Sequence, residues 1–184
     1  MNPSAQEILA AIESSPAGEV VVLPNNGNVI LAAEQAARLA SKPVRVVQSD
    51  SLPAGLAAMV VYDPDRSAEA NVADMHEALA SVATGAVTIA SRDADVDGIS
   101  VAKGAYLGLV DDEAVASGAS FDDVTRVVVE RLLAEPRDVL TLLTGEHEPD
   151  LEALRSYLEA EHPALELEIQ PGGQPHYPLL LSAE

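Results

Sequence analysis

Two periodicities alternate along the first half of the chain. In "SAQEILAAIESS" (4–15), Ile8, Leu9, Ala11 and Ile12 recur on one helical face, and Ser4 with Glu7 three residues on has the spacing of a capping box, so a helix is predicted to begin there. "EVVVLP" (19–24) and "PVRVVQS" (43–49) are short β-branched runs, and the Ala-rich stretch between them, about 28–40, has helical spacing. That is a βαβ unit of ordinary length, for which a right-handed crossover is the rule. "LPAGLAAMVVYDP" (52–64) predicts a short apolar helix opened by Pro53 and largely buried. "SAEANVADMHEALASV" (67–82) predicts an amphipathic helix capped by Ser67, with Val72, Met75, Leu79 and Val82 on its apolar face.

The pattern then changes. Between 85 and 118, short extended runs are broken by Gly and Asp, which predicts an antiparallel meander with strands at 87–91, 99–101, 106–110 and 113–116 and a hairpin turn at Asp111 and Asp112. After Ser120, a cap followed by Asp122 and Asp123 at the positive end of a helix dipole, "FDDVTRVVVERLLAE" returns to helical spacing until Pro136. Strand (138–145), helix (150–162), strand (164–170) and strand (176–184) complete the chain. The predicted class is α/β: a mainly parallel sheet flanked by helices, with an antiparallel meander in the middle. The 184 residues fit one compact domain, or two lobes at 1–85 and 86–184.

Composition sharpens this. The chain is 48% hydrophobic but only 3% aromatic, so its core is aliphatic, as suits strands covered by helices. The formal charge of -20, from 30 acidic against 10 basic residues, repels phosphate backbones and anionic membrane surfaces, so nucleic acid is not an expected partner. Without cysteine there is no disulfide, thiolate metal site or thiol nucleophile. No basic start with an apolar core and no long apolar run marks a leader or a membrane span, so a cytoplasmic protein is expected.

Two stretches carry candidate ligand chemistry. In "LPNNGNV", Asn25, Asn26 and Asn28 join a strand end to a helix start, where backbone NH groups and the helix dipole favour an anion. The same residues are what a tight turn and helix cap require. In "PGGQPHYP", Gly172 and Gly173 allow close backbone approach, and Gln174, His176 and Tyr177 offer polar tips, unless the loop is simply a rigid link between strands. Asp93, Asp95, Asp97 and Gly98 fill four places of a calcium loop, but Gly104 stands where the closing Glu is needed, so an Asp-rich hairpin turn is the expectation and no metal site is assigned. His76, His147, His162 and His176 are scattered at no ligand spacing, and no catalytic nucleophile and base can be assembled.

Taken together, "VVVLPNNGNVILAAEQAARLA", "LPAGLAAMVVYDP", "GISVAKGAYLGLVD" and "GGQPHYPLLLSAE" closely resemble the C-terminal region of the large, ATP-dependent subunit of bacterial fatty-acid kinase, the dihydroxyacetone-kinase-like YloV or FakA family. The resemblance runs in order through nearly the whole chain. It implies a DegV-like fold and a non-catalytic module, with ATP and Mg bound by an N-terminal domain outside this chain and no cofactor here. It also implies two partners, a DegV-like fatty-acid-binding protein and the remainder of the kinase chain; a second copy of the chain is a further candidate. The opening "MNPS" looks like the tail of an internal "GGQTMNPS" motif of longer family members, so the chain is expected to be a fragment. The resemblance attaches no chemistry to Asn25, Asn26, Asn28 or the GGQP loop. The rival expectation is therefore a small-molecule or anion-binding α/β domain that uses both.

Overall fold

The computed structural model describes residues 2–147 and 149–184; Met1, on which the internal-motif expectation partly falls, and Glu148 lie outside them. The chain divides into two compact units, Met1–Val82 and Ala83–Glu184.

The first unit runs α1 (Ala5–Ser14), β1 (Val20–Val22), α2 (Gly27–Leu39), β2 (Val44–Val46), α3 (Leu52–Val60) and α4 (Ala68–Ser81). The capping box predicted at Ser4 and Glu7 is present, and Ser67 caps α4 as expected. β1 and β2 pair in parallel, Val20 opposite Val44 and Val22 opposite Val46. Because side chains alternate across a strand, Val20 and Val22 pack with Ile12, Ala36 and Val44, while Val21 packs with Val47, Ala58 and Met75. α3 departs from expectation. It buries Pro53, Ala54, Gly55 and Ala58, but Leu56, Met59 and Val60 are 45%, 53% and 85% exposed. A helix without polar residues offers no periodicity from which to choose its buried side.

The second unit contains β3 (Ala83–Ile89), β4 (Ala94–Val96), β5 (Ile99–Val101), β6 (Tyr106–Val110), β7 (Glu113–Gly118), α5 (Phe121–Leu132), β8 (Val139–Thr144), α6 (Glu152–Glu161), β9 (Glu166–Pro171) and β10 (Leu179–Ala183). β4 pairs with β5 in a hairpin turned through Asp97 and Gly98 at positive φ, the Asp-rich hairpin turn expected from the sequence, although β4 itself was not predicted as a strand. The remaining six strands form one sheet in the order β7-β6-β3-β10-β8-β9.

Here the expectation of a mainly parallel sheet is corrected. Only β8–β9 pairs in parallel; β10 inserts antiparallel between β3 and β8, and β3, β6 and β7 form the antiparallel meander. The direction of the last strand is a matter of long-range pairing, about which its own apolar run is silent. All five residues of β10 are buried, as a central strand requires.

One face of this sheet carries α5 and α6 over Val87, Leu140, Leu142, Leu179 and Leu181. α5 sits low because two strand positions are glycine: a Cβ on Gly85 would lie 2.8 Å from Val128, and one on Gly108 would lie 2.6 Å from it. Ser120 caps α5 as predicted, accepting from the Asp123 N–H at 3.2 Å. Among the described residues no helix is long and apolar enough to cross a membrane.

Candidate functional site

The Asn-rich joint lies where β1 hands over to α2 in the first unit. Asn26 caps α2, its Oδ1 accepting from the Asn28 N–H at 2.9 Å. Asn25 takes a left-handed conformation (φ 54°), which Asn tolerates better than most side chains. Its N–H donates to the Ser49 hydroxyl at 3.0 Å, and that hydroxyl donates back to Asn25 Oδ1 at 2.6 Å. Ser49 follows β2 and is completely buried. The Asn25 amide lies on the bare α-carbon of Gly55 in α3, where a Cβ would come within 1.9 Å of Oδ1. Asn25 therefore ties the ends of two parallel strands to a third element. Asn28 is exposed on the first turn of α2.

The GGQP loop lies between β9 and β10 in the second unit, so the two candidate sets are each gathered within their own unit. Both Gly172 and Gly173 donate their N–H to Thr144 O, at 2.9 and 3.0 Å. Gln174 donates from Nε2 to Leu143 O at 3.0 Å and to Tyr177 O at 3.1 Å, while its own carbonyl accepts from the Glu146 N–H. Its Oε1 is buried without a hydrogen-bond partner among the described residues and rests on Gly172, where a Cβ would lie 2.1 Å away. His176, at φ 70°, accepts through its carbonyl from the Thr88 hydroxyl at 2.9 Å. The loop is thus bolted to the ends of β8 and β3.

A cleft of about 350 Å³ opens beside it, lined by Ile89, Glu146, His147, Gln174, His176 and Tyr177 among others. Gln174 and His176 were candidates from sequence; their meeting with Glu146 and His147 was not legible. It follows from the register that sets Leu179 of β10 beside Thr144 of β8, which brings the residues after one strand against those before the other. The cleft offers two imidazoles, a carboxylate and a phenol at a partly apolar wall. Among the described residues no group of three or more His, Asp or Glu side chains is placed to hold a metal ion. Two of the three aspartates of the calcium-like loop bond to backbone: Asp93 accepts from the Lys103 N–H at 2.7 Å and Asp97 from the Ala114 N–H at 2.8 Å.

Perturbed titrations lie away from both motifs. Bonds from Ser41 hold the Glu13 carboxyl below the usual range, bonds from Ser4 do the same for Glu7, and burial beside Glu130 pushes the Tyr157 phenol up.

Comparison with known proteins places this architecture. The model of the FakA-like C-terminal family of fatty acid kinase matches residues 1–184. Protein YloV of Bacillus subtilis is 34% identical over 186 residues, which is 100% of this chain and 34% of that protein. An uncharacterized protein of Staphylococcus aureus (strain USA300) is 35% identical over 188 residues, again 100% of this chain and 34% of that protein. The chain therefore spans about a third of the length of these curated relatives. Among solved structures, the Streptococcus pneumoniae fatty acid kinase B3 protein loaded with linoleic acid has a TM-score of 0.72 at 14% identity, covering 99% of this chain and 76% of that one. A fatty-acid-binding DegV family protein from Thermus thermophilus has a TM-score of 0.61 at 17% identity, covering 100% and 78%. The dihydroxyacetone kinase from C. freundii in complex with AMP-PNP and Mg2+ has a TM-score of 0.61 at 14% identity, covering 98% and 41%. At these identities the likeness is one of fold, and that fold is DegV-like.

Proposed function

Because the chain belongs to the FakA-like C-terminal family of fatty acid kinase, we propose that it is the non-catalytic, kinase-associated module of an ATP-dependent fatty-acid kinase. It docks a DegV-like fatty-acid-binding protein so that the bound acyl carboxylate meets ATP held by another part of the kinase. The observation that carries this reading is the family match over residues 1–184, in a chain that spans about a third of its curated relatives.

The geometry of the two motifs supports it. Asn25 Oδ1, Asn26 Oδ1 and Gln174 Nε2, the polar atoms a ligand cradle would draw on, are engaged in holding turns and strand ends. A rigid platform of this kind serves phosphoryl transfer by orientation, since that reaction depends chiefly on positioning and on stabilising charge. The charge of -20 suits a carrier that presents a basic patch, and attraction of that kind raises the association rate.

Titration calorimetry of this chain against a purified, acyl-loaded DegV-like protein tests the reading. Saturable binding that weakens as salt rises is expected. No binding, or ATP turnover by this chain alone, overturns it.

A further inference from the structure

The two margins of the six-stranded sheet differ in a way that assigns one of them a partner. At the β7 margin the β4–β5 hairpin packs alongside, with Asp97 accepting from the Ala114 N–H, and a register shift at Gly108 and Leu109 adds irregularity. At the other margin β9 ends the sheet, with no further strand beyond it among the described residues.

Backbone direction along β9 follows from its bonds to β8. The Glu166 N–H donates to Asp138 O, and just past the strand the Gly172 N–H donates to Thr144 O, so the even-numbered residues turn their backbone groups inward. By the period of two, the N–H and C=O of Leu167 and Ile169 face the open side. Pro171, which has no N–H, closes that row.

The side chains beside this edge are also incompletely covered. Leu165, Leu167 and Ile169 are only partly buried, and α6 leaves two adjoining grooves of about 370 and 350 Å³ along them, with Arg155 and Ile169 common to both. The surroundings are acidic. From Glu146 to Glu168 the sequence has eight acidic residues against the single Arg155, a formal charge of −7 out of the chain's −20. Glu166 and Glu168 are exposed on the opposite face of the strand, and Glu152 and Glu159 are exposed a turn either side of Arg155 on α6.

Charge selects among occupants. A second copy pairing through the same margin would set Glu166 and Glu168 against their own counterparts, which is unfavourable in a strand pair. An anionic surface is repelled as well. We propose that the α6–β9 margin is a docking surface for a protein partner that offers an extended segment alternating aliphatic and basic residues. Its backbone pairs with Leu167 and Ile169, its aliphatic side chains enter the grooves, and its cations meet Glu166 and Glu168 on the other face. Strand addition of this kind draws affinity from main-chain bonds and specificity from alternate side chains. In naming the partner as the DegV-like carrier, the proposal rests on the docking function above; the surface itself rests on the edge, the grooves and the charge.

The test compares wild type, the triple reversal Glu159→Lys/Glu166→Lys/Glu168→Lys, and Glu77→Lys on the exposed side of α4 as a control, each titrated with the acyl-loaded carrier while amide hydrogen exchange is followed. A synthetic peptide of alternating lysine and valine is run in parallel. The expected result is slowed exchange at Leu167 and Ile169 on binding, with about a tenfold or greater loss of affinity in the triple variant and no loss in the control. If the carrier binds all three proteins alike, or leaves those two amides unprotected, the margin is excluded and the docking function stands. If the carrier does not bind wild type, the docking function falls. The margin then survives only if the peptide protects the same two amides in wild type and fails to do so in the triple variant.

Discussion

The Asn25 joint and the Gln174 loop solve one packing problem in two ways. Each follows a strand, and each lays a side-chain amide on a bare glycine α-carbon, Asn25 on Gly55 and Gln174 on Gly172. At Asn25 the oxygen is the bonded atom, in a closed exchange with buried Ser49. At Gln174 the nitrogen is bonded twice, and the oxygen is buried without a partner. The first amide is held at the atom that meets the glycine and lies flat against it; the second is held by its nitrogen and meets the glycine only through its tip. A motif rich in amides and glycine can therefore be complete as internal structure.

Gly55→Ala should produce the largest effect, about 3 kcal/mol of destabilisation in urea unfolding, because the new methyl meets an amide that Ser49 prevents from moving. Adding Asn25→Gly, which suits the positive φ at 25, should recover part of that loss in a double-mutant cycle. Strict additivity would show that the contact is not the cause. Ser49→Ala should cost about 2 kcal/mol, since it strands both the N–H and the Oδ1 of Asn25 in a poorly hydrated place.

Gly172→Ala makes a nominally similar clash but should cost only about 1 kcal/mol, because the new methyl meets only the tip of the longer Gln174 side chain, whereas at Gly55 it meets the whole Asn25 amide. A loss equal to that of Gly55→Ala would erase the distinction between the two joints. The smallest effect leaves both joints alone. The Glu13 carboxyl is held low by Ser41, so its contribution is complete above the ordinary glutamate range and is lost as pH falls through the lowered value. Glu13→Gln should lower stability slightly near neutrality, where that contribution is complete, and flatten the acid limb in pH-dependent thermal unfolding, with the two proteins converging at low pH.

Local signals were legible because they act within a few residues. Ser4, Ser67 and Ser120 each cap the helix predicted after them, and the Asp111–Asp112 turn joins β6 to β7, with both residues at positive φ. The candidate residues were legible as loops of special chemistry. Their partners were not: Ser49 and Gly55 lie 24 and 30 positions from Asn25, and nothing in their own neighbourhoods marks them as its contacts. The cleft beside His176 was hidden for the same reason, since Glu146 and His147 reach it only through the pairing of β8 with β10.

What the chain settled by itself is the set of elements apart from β4, most of their caps and turns, an aliphatic core and an acidic surface, all properties of short range or of composition. What tertiary structure alone decided is the antiparallel course of β10 through the middle of the sheet, the side on which α3 is buried, and which amide meets which glycine. These depend on contacts between distant segments, where one apolar run pairs as well in either direction until packing on both faces selects one.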